Sequence, residues 1–105
     1  MNIDFIILAA GKGSRMGGDA PKVLVNLAGR PMLQNLINTT SQFKQSKRVL
    51  VAGYKAPLVK KQIKTPRSTS WVKQNKQLGT AHAVKQALPS LRKGSVAVIL
   101  YGDVP

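Results

Sequence analysis

Residues 3–17 read IDFIILAAGKGSRMG, an apolar run followed directly by a loop rich in glycine and cationic side chains. The four large apolar residues at 5–8 leave no polar face, which is typical of a strand buried on both sides of a parallel sheet. Glycines after such a strand let backbone N–H groups approach a polyphosphate. Lys12 and Arg15 add cationic groups that suit phosphate oxygens. The stretch therefore predicts a first strand followed by a phosphate-binding loop.

The loop differs from two common phosphate-binding motifs. The dinucleotide-binding fingerprint G-x-G-x-x-G requires a third glycine where Met16 stands, and the acidic residue expected about 20 positions later is missing. A Walker A loop requires a glycine at the position of Ile6. Neither a dinucleotide-binding protein nor a P-loop NTPase is therefore indicated.

Outside this stretch, short apolar runs alternate with amphipathic segments. The further apolar runs are residues 48–52, 70–73 and 95–101. Pro31 opens the first predicted helix, residues 57–64 form the second, and Thr80 is the predicted N-cap of the third. The chain thus reads β-α-β-α-β-α-β.

This order predicts an α/β fold, a Rossmann-like open parallel sheet in a three-layer α/β/α arrangement. Right-handed crossovers favour the strand order 3-2-1-4. The first and fourth strands are then neighbours at the topological switch point, where such sheets bind ligands. The loop after Ala9 and residues 101–105 should therefore face each other.

Length and composition exclude several kinds of site. A chain of 105 residues forms one small domain at most. It contains no cysteine, which excludes disulfides and thiolate-bound metals, and one histidine, His82, which excludes a multi-histidine metal site. The acidic side chains are Asp4, Asp19 and Asp103 alone. A divalent metal would therefore need substrate phosphates as further ligands.

The 17 Lys and Arg residues give a formal net charge of +14 and leave a nucleic-acid-binding function open. The charges are scattered, and no block of five or six like charges occurs. Aromatic residues make up 5% of the chain and do not alternate with basic ones, which argues against a platform that stacks single strands. We expect any nucleic-acid binding to be non-specific and to weaken with salt.

No segment is typical of a targeting signal or a membrane span. The apolar run at residues 5–10 is too short for the core of a signal peptide, and no basic segment precedes it. No stretch approaches the roughly 20 apolar residues of a membrane span. We therefore expect no membrane partner and a cytoplasmic location.

Several motifs together resemble one enzyme family. Residues 8–24, LAAGKGSRMGGDAPKVL, resemble the signature L-A-A-G-x-G-[ST]-R-M-x(n)-P-K of sugar nucleotidyltransferases, within the MobA-like NTP transferase superfamily. LAGRPML at 27–33, QLGTAHAV at 77–84 and YGDVP at 101–105 follow in order. The combination is similar to the uridylyltransferase domain of bacterial N-acetylglucosamine-1-phosphate uridylyltransferases.

The resemblance implies a reaction and its ligands. UMP would pass from UTP to N-acetylglucosamine 1-phosphate with the help of Mg²⁺, giving UDP-N-acetylglucosamine, a peptidoglycan precursor, and pyrophosphate. It further implies that the backbone groups of four residues cradle the nucleotide, namely Leu8, Ala9, Ala10 and Gly11. Arg15 and Lys22 correspond to catalytic residues, of which Arg15 stabilises the triphosphate and Lys22 binds the nucleotide.

The resemblance implies roles for two further groups of residues. Those that read the uracil edge are Gln74, Gly79 and Thr80. Those that match the tip of the fourth strand are Tyr101, Gly102 and Asp103. Asp103 is the implied Mg²⁺ ligand.

The residue types by themselves leave other roles open. Asp103 also suits a turn or an N-cap, and Lys22 suits a simple lead into the following apolar residues. For His82 a structural or solvent-facing role is favoured over acid–base catalysis, and for Trp71 packing is favoured over stacking on a base. Tyr101 suits core packing and the lining of a site equally well.

The family's catalytic domain is longer than this chain. It continues with sugar-binding residues and a second Mg²⁺ ligand, an asparagine, beyond the position of Pro105, and bifunctional members add an acetyltransferase domain. We therefore expect residues 1–105 to be the truncated, nucleotide-binding half of an NTP-transferase domain. The apolar fourth strand would then lie at an open edge, which predicts marginal stability or self-association.

Three functions follow as hypotheses. The first is a nucleotidyltransferase of the uridylyltransferase type, either active through a partner, such as a complementing C-terminal half, or a fragment of an active enzyme. The second is a vestigial module that binds UTP and Mg²⁺ without turnover. The third, from another class, is a basic nucleic-acid-binding protein.

Overall fold

Strands and helices alternate along the residues that the computed structural model describes, which are 2–9, 22–74 and 79–102. The strands are β1 (Ile3–Ala9), β2 (Asn26–Leu27), β3 (Arg30–Pro31), β4 (Ser46–Ala52), β5 (Thr69–Lys73) and β6 (Val96–Tyr101). The helices are α1 (Met32–Thr40), α2 (Ala56–Gln62) and α3 (Thr80–Ala87), with 3-10 turns at Lys22–Leu24 and Leu88–Ser90. None of the described helices is long and apolar enough to cross a membrane.

Four strands form one parallel sheet in the order β5-β4-β1-β6. Counted along the chain, this is the predicted order 3-2-1-4, and the predicted α/β fold is confirmed. The strands end in register, because Ala9 pairs with Ala52, Ala52 with Lys73, and Leu8 with Tyr101. All carboxyl ends of the sheet therefore lie along one edge.

Helices cover both faces of the sheet. On one face, Phe5 and Ile7 of β1 pack with Leu33 of α1 and Val59 of α2. On the other, Ile6 packs with residues of β4 and α3. Ile6 and Ile7 are both essentially inaccessible to solvent, and each such side chain contributes about 2 kcal/mol by burial. The prediction that this strand is buried on both sides is confirmed.

Several predicted boundaries differ from the structure. β2 and β3 form a hairpin that was not predicted, and its turn holds Ala28 and Gly29 at φ values of 56° and 84°. The sequence there lacks the Asn-Gly or Asp-Gly pair that signals such turns. Pro31 ends β3 and occupies the N-cap position of α1 instead of its first turn. Helix α2 covers Ala56–Gln62 and not residues 57–64, because the chain is extended again at Ile63.

The N-cap of α3 was also predicted at the wrong residue. Thr80 is the first helical residue, and Gly79 occupies the N-cap position with φ 98° and ψ 177°. This backbone conformation is accessible in practice to glycine alone. The sharp turn into α3, and not a side-chain cap, therefore decides where the helix begins.

A buried ion pair holds the amino end of the sheet. The Asp4 carboxylate is inaccessible to solvent and accepts hydrogen bonds from the backbone N–H of Arg92 at 2.7 Å, the Arg92 Nε at 2.7 Å and the Ser95 hydroxyl at 2.8 Å. Arg92 also donates to the carbonyl oxygens of Ile3 and Gln45. The segment that follows α3 is thereby tied to the start of β1, which positions β6 for pairing.

Replacing Asp4 by asparagine should lower the free energy of unfolding by about 3 kcal/mol, because Arg92 loses its anionic partner. Burial raises the pKa of the Asp4 carboxyl, but the hydrogen bonds from Arg92 and Ser95 lower it more, so the net pKa lies below its ordinary value. The ion pair thus stabilises the fold above pH of about 4 and loses that effect as the pH falls through the folded-state pKa. Urea titrations of both proteins between neutral and acid pH would measure this.

The Ser95→Ala variant is the control, since it removes one hydrogen bond of about 1 kcal/mol and leaves the ion pair in place. As the pH falls from about 4 through the folded-state pKa of Asp4, the stabilities of the Asp4→Asn variant and the wild type should converge. Parallel pH profiles would contradict the assignment of the acid-sensitive stability to Asp4.

Candidate functional site

Several of the predicted site residues that the structure describes lie along the edge of the sheet where the strands end. Leu8 and Ala9 end β1, Gln74 follows β5, and Tyr101 and Gly102 lie at the end of β6. Because β1 and β6 are neighbours, the loop that begins after Ala9 and the chain that continues after Gly102 start at adjacent points. This is the topological switch point predicted from the sequence, and such points are where open α/β sheets bind ligands.

Gly102 marks a close approach of three segments at this edge. Its N–H donates to the Leu8 carbonyl oxygen at 2.9 Å. A Cβ atom at Gly102 would lie 3.1 Å from that oxygen, 3.2 Å from Cγ1 of Val23 and 3.4 Å from Cδ1 of Leu33. The end of β6 thus closes on β1 and on the turn Lys22–Leu24, and this contact leaves little room for a side chain at Gly102.

Tyr101 and Trp71, whose roles the sequence left between packing and a site, differ in the structure. The Tyr101 side chain is 49% exposed, so it is not a core residue. Trp71 is partly buried and packs against the core cluster around Leu50. Its ring also lies 5.9 Å from the Nζ of Lys60. The predicted packing role of Trp71 is therefore confirmed.

Gln74 connects the end of β5 to α3. Its backbone N–H donates to the carbonyl oxygen of Ala52 at 2.8 Å, and its side chain is 3% exposed. The side-chain Nε2 lies 2.9 Å from Nδ1 of His82 on α3. Gly79 and Thr80, at the start of the same helix, are exposed. The residues expected to read a base are thus placed by two elements that are joined through His82.

No motif in the sequence indicated the contact between Gln74 and His82. Helical spacing places His82 and Gln86 on one face of α3, and their side-chain nitrogens lie 3.3 Å apart. Only the packing of α3 on the sheet brings that face to the end of β5. His82 therefore has the structural role that was favoured for it, with a specific partner.

Four of the predicted site residues lie outside the described residues, namely Ala10, Gly11, Arg15 and Asp103. Lys22 begins the 3-10 turn next to Val23. Within the described ranges the carboxylate side chain is that of Asp4, at the opposite edge of the sheet, and no group of three His, Cys, Asp or Glu residues could hold a metal ion. Asp19 and Asp103, the other two acidic residues, lie outside the described residues, so the metal-ligand role of Asp103 stays a prediction.

Comparison with known proteins identifies the family. Residues 5–105 match the family model of the MobA-like NTP transferase domain. The chain belongs to this family. It is 45% identical over 105 residues to the bifunctional protein GlmU of Nitrosomonas eutropha and 47% identical over 105 residues to GlmU of Acinetobacter baumannii. Both alignments cover 100% of this chain and 23% of the relative.

A solved structure supports the same assignment. HddC from Yersinia pseudotuberculosis, complexed with GMP-PN, matches with a TM-score of 0.81 at 28% identity over 95% of this chain. The chain spans 47% of HddC and about a quarter of the length of the curated relatives. The resemblance inferred from the motifs is therefore confirmed at the level of the family and the fold.

Replacing Gly102 by alanine should destabilise this MobA-like domain by about 2 kcal/mol, because the new methyl group meets a backbone carbonyl that cannot easily move. The free energy of unfolding from urea titration measures the effect. In the double variant with Val23→Ala the loss should be smaller than the sum of the two single losses, since one of the close contacts is gone. Strictly additive losses would show that the two residues do not meet.

Proposed function

We propose that residues 1–105 bind UTP and Mg²⁺ at the carboxyl-end edge of the sheet as the nucleotide-binding half of a uridylyltransferase domain. The acceptor would be N-acetylglucosamine 1-phosphate, and the products UDP-N-acetylglucosamine and pyrophosphate. The observation that carries the proposal is the adjacency of β1 and β6, fixed by the hydrogen bond from Gly102 to Leu8. It sets the end of β1, after which the glycine-rich loop begins, beside the end of β6, after which Asp103 follows in the sequence. The identity to GlmU proteins and the nucleotide in HddC support it.

In this proposal, backbone groups bind the nucleotide and cationic side chains bind its triphosphate. The backbone at Leu8, Ala9, Ala10 and Gly11 would approach the nucleotide. Arg15 and Lys22 would balance the charge of the triphosphate. A phosphate oxygen of the acceptor attacks the α-phosphorus, the bond to the bridging oxygen of the β-phosphate breaks, and pyrophosphate leaves with the electron pair. In such a displacement the protein contributes chiefly position and charge.

Gln74, Gly79 and Thr80 would read the base. Gln74 has the amide that can pair with a pyrimidine edge, and the exposed start of α3 offers the backbone of Gly79 and the hydroxyl of Thr80 beside it. Burial of Gln74 makes this reading selective, because a mismatched base would leave a buried polar group without a partner.

Magnesium would be held by Asp103 together with phosphate oxygens and water. Asp4 is excluded as a ligand at this edge, because Arg92 and Ser95 occupy its carboxylate at the other end of β1. Gly102 is fixed beside Leu8, and Asp103 is the next residue along the chain. A single carboxylate is enough, since Mg²⁺ readily takes phosphates and water as its other ligands. The ion would neutralise charge on the polyphosphate. We place this activity in the cytoplasm, where UTP is available.

Titration calorimetry with UTP and Mg²⁺ tests the proposal. The Arg15→Ala variant should bind UTP more weakly by about tenfold, the equivalent of one charge-assisted hydrogen bond. Arg67→Ala is the matched control, because Arg67 is an exposed arginine just before the start of β5, at the opposite edge, and its loss should change the affinity little. In the Asp103→Asn variant the dependence of binding on Mg²⁺ should disappear.

The same samples distinguish the three functions. Pyrophosphate release on addition of N-acetylglucosamine 1-phosphate, with a complementing C-terminal half present, would support the transferase, and UTP binding without release would support the vestigial module. Equal losses in the Arg15 and Arg67 variants would refute the assignment of Arg15. Absence of UTP binding at moderate salt, together with tight and salt-sensitive DNA binding, would favour the nucleic-acid-binding alternative.

We also propose that the outer edge of β6 pairs with further strands of the complementing half of the domain, and in isolated residues 1–105 with a second copy. Within the sheet of described strands β6 has β1 as its neighbour on one side alone. Its residues Val96, Ile99 and Tyr101 are 44%, 45% and 49% exposed. An apolar, unpaired edge of this kind readily adds another strand.

Sedimentation velocity on residues 1–105 should therefore show self-association that rises with concentration. The Ile99→Lys variant should dissociate about tenfold more readily, because it places a charge beside the pairing edge. Leu88→Lys is the control, since Leu88 is 53% exposed but lies outside the sheet. A monodisperse wild-type monomer with a sharp cooperative melt would contradict the pairing proposal.

A further inference from the structure

β5 lies at the end of the sheet opposite to β6, and among the described strands it pairs with β4 alone. The carbonyl oxygen of Ser68 accepts from the N–H of Arg48 at 2.9 Å, and the N–H of Gln74 donates to the carbonyl oxygen of Ala52 at 2.8 Å. The register of the two strands is continuous between these bonds. Because backbone groups point to opposite sides at successive residues of a strand, the even-numbered residues of this segment face β4.

The odd-numbered residues of β5 therefore direct their N–H and C=O groups away from the sheet. They are Thr69, Trp71 and Lys73, and no described strand pairs with these groups. Such a row of unpaired groups is a template for a further strand. It matches an extended peptide, which offers a donor and an acceptor at every second residue. It does not match a nucleic-acid backbone, whose phosphates only accept hydrogen bonds.

A cavity of about 190 Å³ lies between α2 and this strand. Two of the outward-facing residues line it together with residues of β4 and α2, namely Trp71 and Lys73 with Ala52, Ala56, Pro57 and Lys60. The Nζ of Lys60 lies 5.9 Å from the centre of the Trp71 ring. An apolar cavity of about 150 Å³ holds benzene, so this one has room for one large apolar side chain. The two lysines suit carboxylates on either side of that side chain.

Cationic residues are concentrated around this edge. Residues 55–73 contain six Lys and Arg residues and no acidic residue, and Lys60 and Lys73 are exposed. The strand β6, at the other end of the sheet, has no charged side chain. A second copy of this chain at β5 would bring like charges together, which disfavours pairing. An acidic segment would be attracted to the same place.

We propose that the outer edge of β5 is a docking site for an extended acidic segment of another protein. The segment adds to the sheet as a further strand and places an apolar side chain in the cavity beside Trp71. Its carboxylates pair with Lys60 and Lys73. Main-chain hydrogen bonds supply affinity in this mode of recognition, and the cavity and the charges supply specificity. The site goes beyond the proposed function and does not depend on the binding of UTP.

A synthetic peptide tests the site on residues 1–105. Trp71 is the only tryptophan of the chain, so its fluorescence reports on the cavity. The end-blocked peptide Thr-Glu-Thr-Ile-Thr-Glu-Thr presents Ile between two Glu on one face of a strand. It should change the emission saturably, and its binding should weaken as salt is added. The peptide with both Glu replaced by Lys should bind about tenfold more weakly, the equivalent of two surface ion pairs.

Charge reversal in the protein tests the same ion pairs. The double variant Lys60→Glu, Lys73→Glu should bind the Glu peptide about tenfold more weakly and should bind the Lys peptide in its place. The matched control is Lys44→Glu with Lys85→Glu, which changes the net charge equally at exposed positions outside this edge. It should leave the preference for the Glu peptide unchanged. Equal losses in the two double variants would overturn the proposal.

Methylation of single peptide nitrogens tests the strand pairing on the wild type. Because every second N–H of an added strand faces β5, the effect of N-methylation should alternate along the peptide. About tenfold losses should occur at one set of alternate residues, the equivalent of one hydrogen bond, and little change at the other set. Losses without this alternation would show that the peptide does not bind as a strand, and would overturn the proposal.

Two further outcomes would assign the edge to another occupant. Tighter binding of oligouridylate than of the Glu peptide at physiological salt, lost in the Lys60→Glu, Lys73→Glu variant, would assign it to nucleic acid. A change in Trp71 emission with protein concentration alone, in the Ile99→Lys background that limits pairing through β6, would assign it to a second copy. Either result would overturn the proposal of an acidic partner.

Discussion

The parallel pairing of β1 on both of its edges is the constraint on which the rest of the structure depends. β1 pairs with β4 on one side and with β6 on the other, so its backbone hydrogen bonds are made within the sheet. Both of its faces are buried, with Phe5 and Ile7 toward α1 and α2 and Ile6 toward α3. A parallel central strand needs a helix on each face to exclude water. The crossover connections that contain those helices also make all four strands run in the same direction, so their carboxyl ends lie at the same edge of the sheet.

The two edges of the sheet consequently have different chemistry. The amino-end edge is closed by internal polar contacts, in which Asp4 pairs with Arg92. On β4, Arg48 is 2% exposed and donates to Ser46, Thr40 and the carbonyl oxygen of Ser68. Burial lowers the pKa of the Arg48 guanidinium. At the carboxyl-end edge, the contacts of Gly102 and Gln74 serve instead to set the spacing of segments around the proposed nucleotide.

Local sequence was sufficient for the strands and for their order. A continuous apolar run such as residues 5–8 can be shielded from water in a small α/β domain only as a strand inside the sheet. The handedness of the crossovers then restricts the order in which such strands pair. The β2–β3 hairpin was missed because its strands have two residues each, too few for an alternating pattern, and its Ala-Gly turn is not distinctive. The start of α3 was misplaced by one residue, because the backbone angle of Gly79 and not the hydroxyl of Thr80 decides it.

The sequence by itself determined the family, the strand order and the edge at which a ligand site should lie, because these depend on motifs, apolar runs and connection handedness that are local or topological. Only the tertiary structure decided which side chains act on one another. The bonds from Asp4 to Arg92 and from Gln74 to His82 join residues 88 and 8 positions apart. The physical reason is that a hydrogen bond depends on atomic positions within a few tenths of an ångström. Those positions are set by how α3 and the segment after it pack on the sheet, and the spacing of residues along the chain does not contain that information.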